Sequence, residues 1–182
     1  MNTGGLPPQS DRWRERESTV NVKPTDLAQI VAESVLTGTF VVTSAYDGKR
    51  AGVLARSVAP CATEPLLVML ALRKGHSIAP LIRDSHHLGI CRIDPGDRLL
   101  MRKFCDSQSG PDLADDNPVD PFDSVPVETI ASGSPLLRRA ALALDCEVVR
   151  HFDLEADHEI YVVQIVAARA GQQPIVWSED RK

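Results

Sequence analysis

Few residues of this chain stand at spacings that carry chemistry by themselves. The five histidines are His76, His86, His87, His151 and His158, and none pairs at helical i, i+4 spacing with another ligand type. The four cysteines, Cys61, Cys91, Cys105 and Cys146, are separated by 30, 14 and 41 residues, with no C-x-x-C. Zinc sites need close ligand pairs, so this pattern gives no metal site. Without an export signal disulfides are not expected, and most of these thiols read as small buried hydrophobes. Nucleophile elbow, Walker loop, Rossmann glycine fingerprint and H-E-x-x-H are all missing from the sequence. What does stand out is a loop of small residues, Leu54-Ala55-Arg56-Ser57 and Ala59-Pro60-Cys61-Ala62, followed by Arg73-Lys74 and His76-Ser77. Backbone N–H groups in such a run can approach a flat ring or a phosphate closely, and the basic side chains can bind the phosphate.

The elements that would position these residues are mostly strands. Residues 39–46 are rich in β-branched and aromatic types, and Asp47-Gly48 is a hairpin turn leading into a strand over 49–57. The apolar run 66–72 predicts a strand buried on both faces. Strands are also expected over 88–93, 146–152, 159–168 and 175–177, the middle pair joined by a polar turn at 153–158. Short helices are predicted over 25–36, 77–83 and 97–104, and a helical turn within 135–144. Short turns between many strands fit an antiparallel barrel, not an alternating parallel sheet.

The 182 residues make one domain. Residues 1–22 read as a flexible polar arm, 23–182 as the folded domain, and 106–134 as a long acidic, proline-rich excursion. The net charge of −5 disfavours nucleic acid. It is also uneven: Asp106, Asp112, Asp115, Asp116, Asp120, Asp123 and Glu128 fall in a stretch without Lys or Arg. No apolar run is long enough for a membrane span, and the N-terminus lacks the apolar centre of a signal peptide, so a cytoplasmic protein is expected. Aromatic residues make up only 4%, leaving few rings for a ligand to stack on.

In order along the chain, several short segments resemble the flavin reductase-like family. They are Val41-Val42-Thr43, Gly48, Gly52, Ser57, Glu64-Pro65, the strand 66–72 and Ile82-Arg83-Asp84-Ser85. Phe122, Gly133-Ser134-Pro135-Leu136-Leu137, Asp145-Cys146 and Ala156-Asp157-His158 continue the series. The resemblance covers roughly residues 24–177. It implies a mainly β fold, the FMN-binding split β-barrel, antiparallel and Greek-key-like, with a few short helices. It also implies a homodimer with flavin near the interface.

Carried onto this sequence, the resemblance places Leu54, Ala55, Arg56, Ser57, Ala59, Pro60, Cys61 and Ala62 along the isoalloxazine and ribityl chain. Arg56, Arg73 and Lys74 become phosphate partners, and His76 and Ser77 a second flavin loop. Asp157 and His158 would lie beside the nicotinamide, whose C4 must come within about 3–3.5 Å of the flavin N5 for hydride transfer. The implied activity is an NAD(P)H:flavin reductase using FMN or FAD, with NADH or NADPH as co-substrate, supplying reduced flavin to oxygen or a partner monooxygenase. Two rivals remain. One is an FMN-binding electron carrier or storage protein without reductase activity, motivated by Leu54, Ile78 and Ala156 standing where the family has other residues. The other is a ligand-free barrel that uses the acidic loop 106–128 as a contact surface.

Overall fold

The computed structural model describes residues 38–105 and 120–170, and the backbone of 173–176. The expected arm (1–22), the helix over 25–36, residues 106–119 of the acidic stretch and Trp177 lie outside the described residues.

Among the described residues, ten strands and two helices follow in chain order. They are β1 (Phe40–Tyr46), β2 (Lys49–Ala55), β3 (Val58–Thr63), β4 (Leu66–Arg73), α1 (Ile78–Ser85), β5 (His87–Arg92) and α2 (Arg98–Phe104). Then come β6 (Val127–Glu128), β7 (Leu136–Leu137), β8 (Leu142–Asp153), β9 (His158–Ala170) and β10 (Gln173–Val176). One antiparallel sheet runs β2-β1-β5-β8-β9-β4-β3, with β10 added beside β9. This is the expected split barrel. Asp47 and Gly48 take the positive φ values of 48° and 74° that a tight hairpin needs. The two outermost strands, β2 and β3, are consecutive in the chain and separated only by Arg56-Ser57.

Two apolar cores lie on opposite faces of the central strands. Val42, Val53, Leu70, Leu88, Ile90 and Val163 fill the barrel, and Ile78 and Ile82 of α1 join them. Val41, Cys91 and Ala143, the alternate residues of β1, β5 and β8, face a second core built from α2 and the segment 120–140. Here Phe104 and Phe122 meet edge to face at 5.3 Å. Gly52 is required by that approach, since a Cβ there would lie 2.7 Å from the Phe104 ring. Asp97 caps α2, its carboxylate accepting from Leu100 N at 3.3 Å.

Several expectations need correction. The segment 135–144 is no helical turn. Leu136–Leu137 pair with Val127–Glu128, and β8 already begins at Leu142. This arrangement wins because its polar groups find partners on the barrel: Thr43 donates to Pro135 O at 2.6 Å, and Leu137 N to Cys91 Sγ at 3.3 Å. Strand β4 is buried on one face only. Val68, Leu70 and Leu72 enter the core, while Met69 is 40% exposed. The run 54–62 is strand on both sides of Arg56-Ser57, not a loop. Only Cys91 and Cys146 are buried, whereas Cys61 and Cys105 are exposed. Burial pushes the Cys91 thiol up to about 12.

Two buried charges pin 120–140 to the barrel. Arg169 on β9 pairs with Glu128 and donates to Leu137 O (2.8 Å) and Ala140 O (3.2 Å). Asp145 on β8, wholly buried, accepts from Ala131 N (2.8 Å), Ser132 N (2.9 Å) and the Ser132 hydroxyl. Asp145→Ala leaves these donors without partners, and is expected to destabilise the fold by about 2–3 kcal/mol in chemical denaturation.

Candidate functional site

Strand register decides which of the sequence-selected residues meet. Arg73, the last residue of β4, pairs with His158, the first of β9. Lys74 N donates to Asp157 O at 2.9 Å, so the chain after β4 is bonded to the start of β9. On the other side of β4, Ala71 N donates to Ser57 O at 3.0 Å. Arg56, Ser57, Arg73, Lys74, Asp157 and His158 therefore converge at one end of the sheet.

The remaining candidates separate. Ala55 points into the barrel core, and Leu54 packs against the second core, so both side chains serve packing. Ala59 is opposite Met69 and half-buried. Pro60, Cys61 and Ala62 continue along the edge strand β3 away from the cluster. Its end, Thr63, pairs with Leu66, about 23 Å along β4 from Arg73. Ser77 is exposed at the start of α1, where its side chain makes no capping bond, and His76 is half-buried beside it.

The cluster is basic. Arg56 and Arg73 are exposed and form no ion pair with the described residues. Lys74 is committed differently: its ammonium binds Asp153 at the end of β8. Asp157 Oδ1 and His158 Nδ1 are 3.0 Å apart. A neutral His158 that donates through Nδ1 keeps Nε2 as an acceptor. The hydrogen bond from His158 holds the Asp157 carboxyl below its usual value, and the bond from Lys74 does the same for Asp153.

Beside this cluster lies an apolar sheet face. Paired residues share a face, so Met69 and Val162, Ala71 and Ile160, and Phe152 and Ile160 project together with Arg73 and His158, and the exposed Arg150 borders them beside Val162. Met69 and Phe152 are exposed at 40% and 49%. A flat apolar surface ending in two exposed guanidiniums, neither in an ion pair with the described residues, suits a planar ring that carries a phosphate. Sequence reasoning missed this face, because the continuous run LLVMLAL hid its alternation. It also missed Asp153, whose pairing with Lys74 is non-local.

The model for the flavin reductase like domain matches residues 32–182. No curated protein matches the sequence significantly. Among solved structures, the NADH:FAD oxidoreductase SgcE6 of Streptomyces globisporus superposes with a TM-score of 0.66 at 20% identity, over 97% of this chain and 99% of that one. A homologue of nitrilotriacetate monooxygenase component B from Mycobacterium thermoresistibile gives 0.64 at 19% identity, over 86% and 79%. The FMN-binding protein of Thermus thermophilus gives 0.64 at 16%, over 94% and 79%.

Asp153 and Asp157 both have lowered values, so the stability that they contribute is present above the unfolded carboxylate value of 3.8 and is lost as pH falls through the lower folded values. Protection of the Lys74 amide against hydrogen exchange, corrected for intrinsic rate, is expected to be flat across the neutral range. It should fall only in acid below 3.8.

Proposed function

The chain belongs to the family of flavin reductase like domains, and from that premise we propose that it takes hydride from NADH or NADPH and delivers it to FMN or FAD. The observation that carries this reading is the convergence of Arg56-Ser57, Arg73 and Asp157-His158 at the end of an exposed apolar sheet face. Flavin bound there supplies the chemistry, accepting a hydride at its ring and passing electrons onward.

The chain's own residues bind and orient. Arg56 and Arg73 hold the phosphate; both are exposed and have no carboxylate partner among the described residues. Ser57 offers its hydroxyl at the crossing between β2 and β3. Ala59 and Ala71 keep the sheet face flat enough for a ring to lie on it. Lys74 takes no direct part in phosphate binding. Its pairing with Asp153 holds the β8–β9 turn against β4 and so sets the position of His158. Asp157 fixes the His158 ring, and Nε2 orients the carboxamide of the nicotinamide. SgcE6, one of the solved structures of this fold, has been obtained with NAD and FAD fragments, which supports the pairing of nucleotide and flavin.

A second copy of the chain covers the rest of the face. Leu67, Met69, Ala71, Phe152, Ile160 and Val162 form an apolar strip that a single chain leaves open to water. The two barrels would then hold the flavin between them, and reduced flavin would be the product handed to a separate oxygenase or to oxygen. The component B homologue of the same fold supports a role in a two-component system.

Anaerobic NADH or NADPH bleaches the visible absorbance of FMN in the presence of the protein, and Arg73→Gln weakens flavin binding about tenfold, or about 1.4 kcal/mol. Failure of both nucleotides to bleach the flavin overturns the reductase reading and leaves a flavin carrier. Light scattering on the purified chain should give a dimer mass, and Met69→Lys should shift it to monomer.

A further inference from the structure

The opposite side of β9 carries a second arrangement that the flavin reading does not use. Successive strand residues point to opposite faces, so Glu159 and Tyr161 face away from His158 and Ile160. They line a cleft of about 490 Å³ between α1 and the β8–β9 hairpin. Its back is closed by the end of α1. His86 adopts φ 59°, its N–H donates to Ile82 O at 2.9 Å, and its carbonyl accepts from Val148 N at 2.8 Å.

Inside, Glu159 is nearly buried and both its oxygens are engaged. Tyr161 donates its hydroxyl to Oε1 at 2.7 Å, and His151 Nε2 lies 2.8 Å from Oε2. The His151 and Tyr161 rings stack at 4.6 Å and 20°. Burial and the bond to Glu159 push the Tyr161 phenol up, so it remains protonated and donating. The one carboxylate of the cleft is thus consumed internally. What faces an occupant is an apolar wall of Ala79, Pro80 and Val148, the stacked rings, and the nitrogen-bearing side chains of Arg83, His86 and His76.

We propose that this cleft is a second ligand site, distinct from the flavin face, and that it takes a small aromatic carboxylate. The volume falls in the range of small-molecule pockets, about 300–1,000 Å³. The flat His151–Tyr161 wall suits a ring. Arg83, at the mouth, supplies a planar fork of donors for a carboxylate; its Nε lies 3.4 Å from Asp84 Oδ1, a long, solvent-exposed contact that engages one edge of the fork only, and Glu159 is already bonded to Tyr161 and His151.

The test uses the full chain and three probes: benzoate, benzyl alcohol (ring without charge) and acetate (charge without ring). Calorimetry is expected to show saturable benzoate binding, one per chain, about tenfold tighter than either of the other two. The His86 and His151 imidazole NMR signals should shift with it. Arg83→Gln, an exposed and structurally mild change, should weaken benzoate about fivefold or more while its acetate affinity stays low. Saturating FMN should leave benzoate affinity unchanged. The proposal is overturned by absence of saturable binding, by equal affinity for the three probes, or by an unaffected Arg83→Gln. It is equally overturned if FMN displaces benzoate, which would make the cleft part of the flavin site at Gly75 and His76.

Discussion

A sheet that does not close on itself must end in two edges, and in this protein both edges belong to one continuous piece of chain. β2 and β3 lie at opposite ends of the strand order, yet only Arg56-Ser57 separates them. The chain itself therefore spans the opening, held by the bond from Ala71 N to Ser57 O. That crossing forces the end of β2 against the end of β4. Pairing of β4 with β9 then brings His158 to the same place. The cluster of basic and imidazole groups is a consequence of where the barrel is split, and no single loop had to be shaped to hold it.

Burial is shared unequally around the sheet for a related reason. β1 and β5 are sealed on both faces because α2 and the segment 120–140 cover their outer side. That cover is fastened by charges: Asp145 gathers the amides of 131–132, and Arg169 gathers Glu128 and two carbonyls. A buried charge with all its partners present specifies position more than it adds stability. Around β4 and the first half of β9 no such cover exists among the described residues, and the sheet keeps an apolar side for another molecule.

Much of this was legible in the residues. The hairpin at Asp47-Gly48, the strand 66–72 and the two short helices follow from local rules of turn chemistry, apolar periodicity and capping, and they stand where expected. Legibility fails where non-local partners decide. Leu136 and Leu137 read as helical in a stretch of good helix formers, but Cys91, Thr43 and the β6 strand claim their backbone. The second half of the small run, 58–62, reads as loop, because nothing local reveals that β4 pairs with it. Of the candidate residues, Arg56, Ser57, Arg73 and His158 stand together at one end of the sheet. Lys74 does not join them as a free cation, since Asp153, nearly eighty residues away, holds it.

The contact between Gly52 and Phe104 carries an implication for how this sequence can change. A Cβ at 52 would stand 2.7 Å from a ring that is itself packed against Phe122. Neither position is free to drift alone. A side chain at 52 can be tolerated only in a lineage where the residue at 104 has first become smaller, and the order of those two steps is fixed. Position 52, which looks like an ordinary strand glycine, is thus half of an evolutionary unit whose other half lies on a helix some fifty residues later.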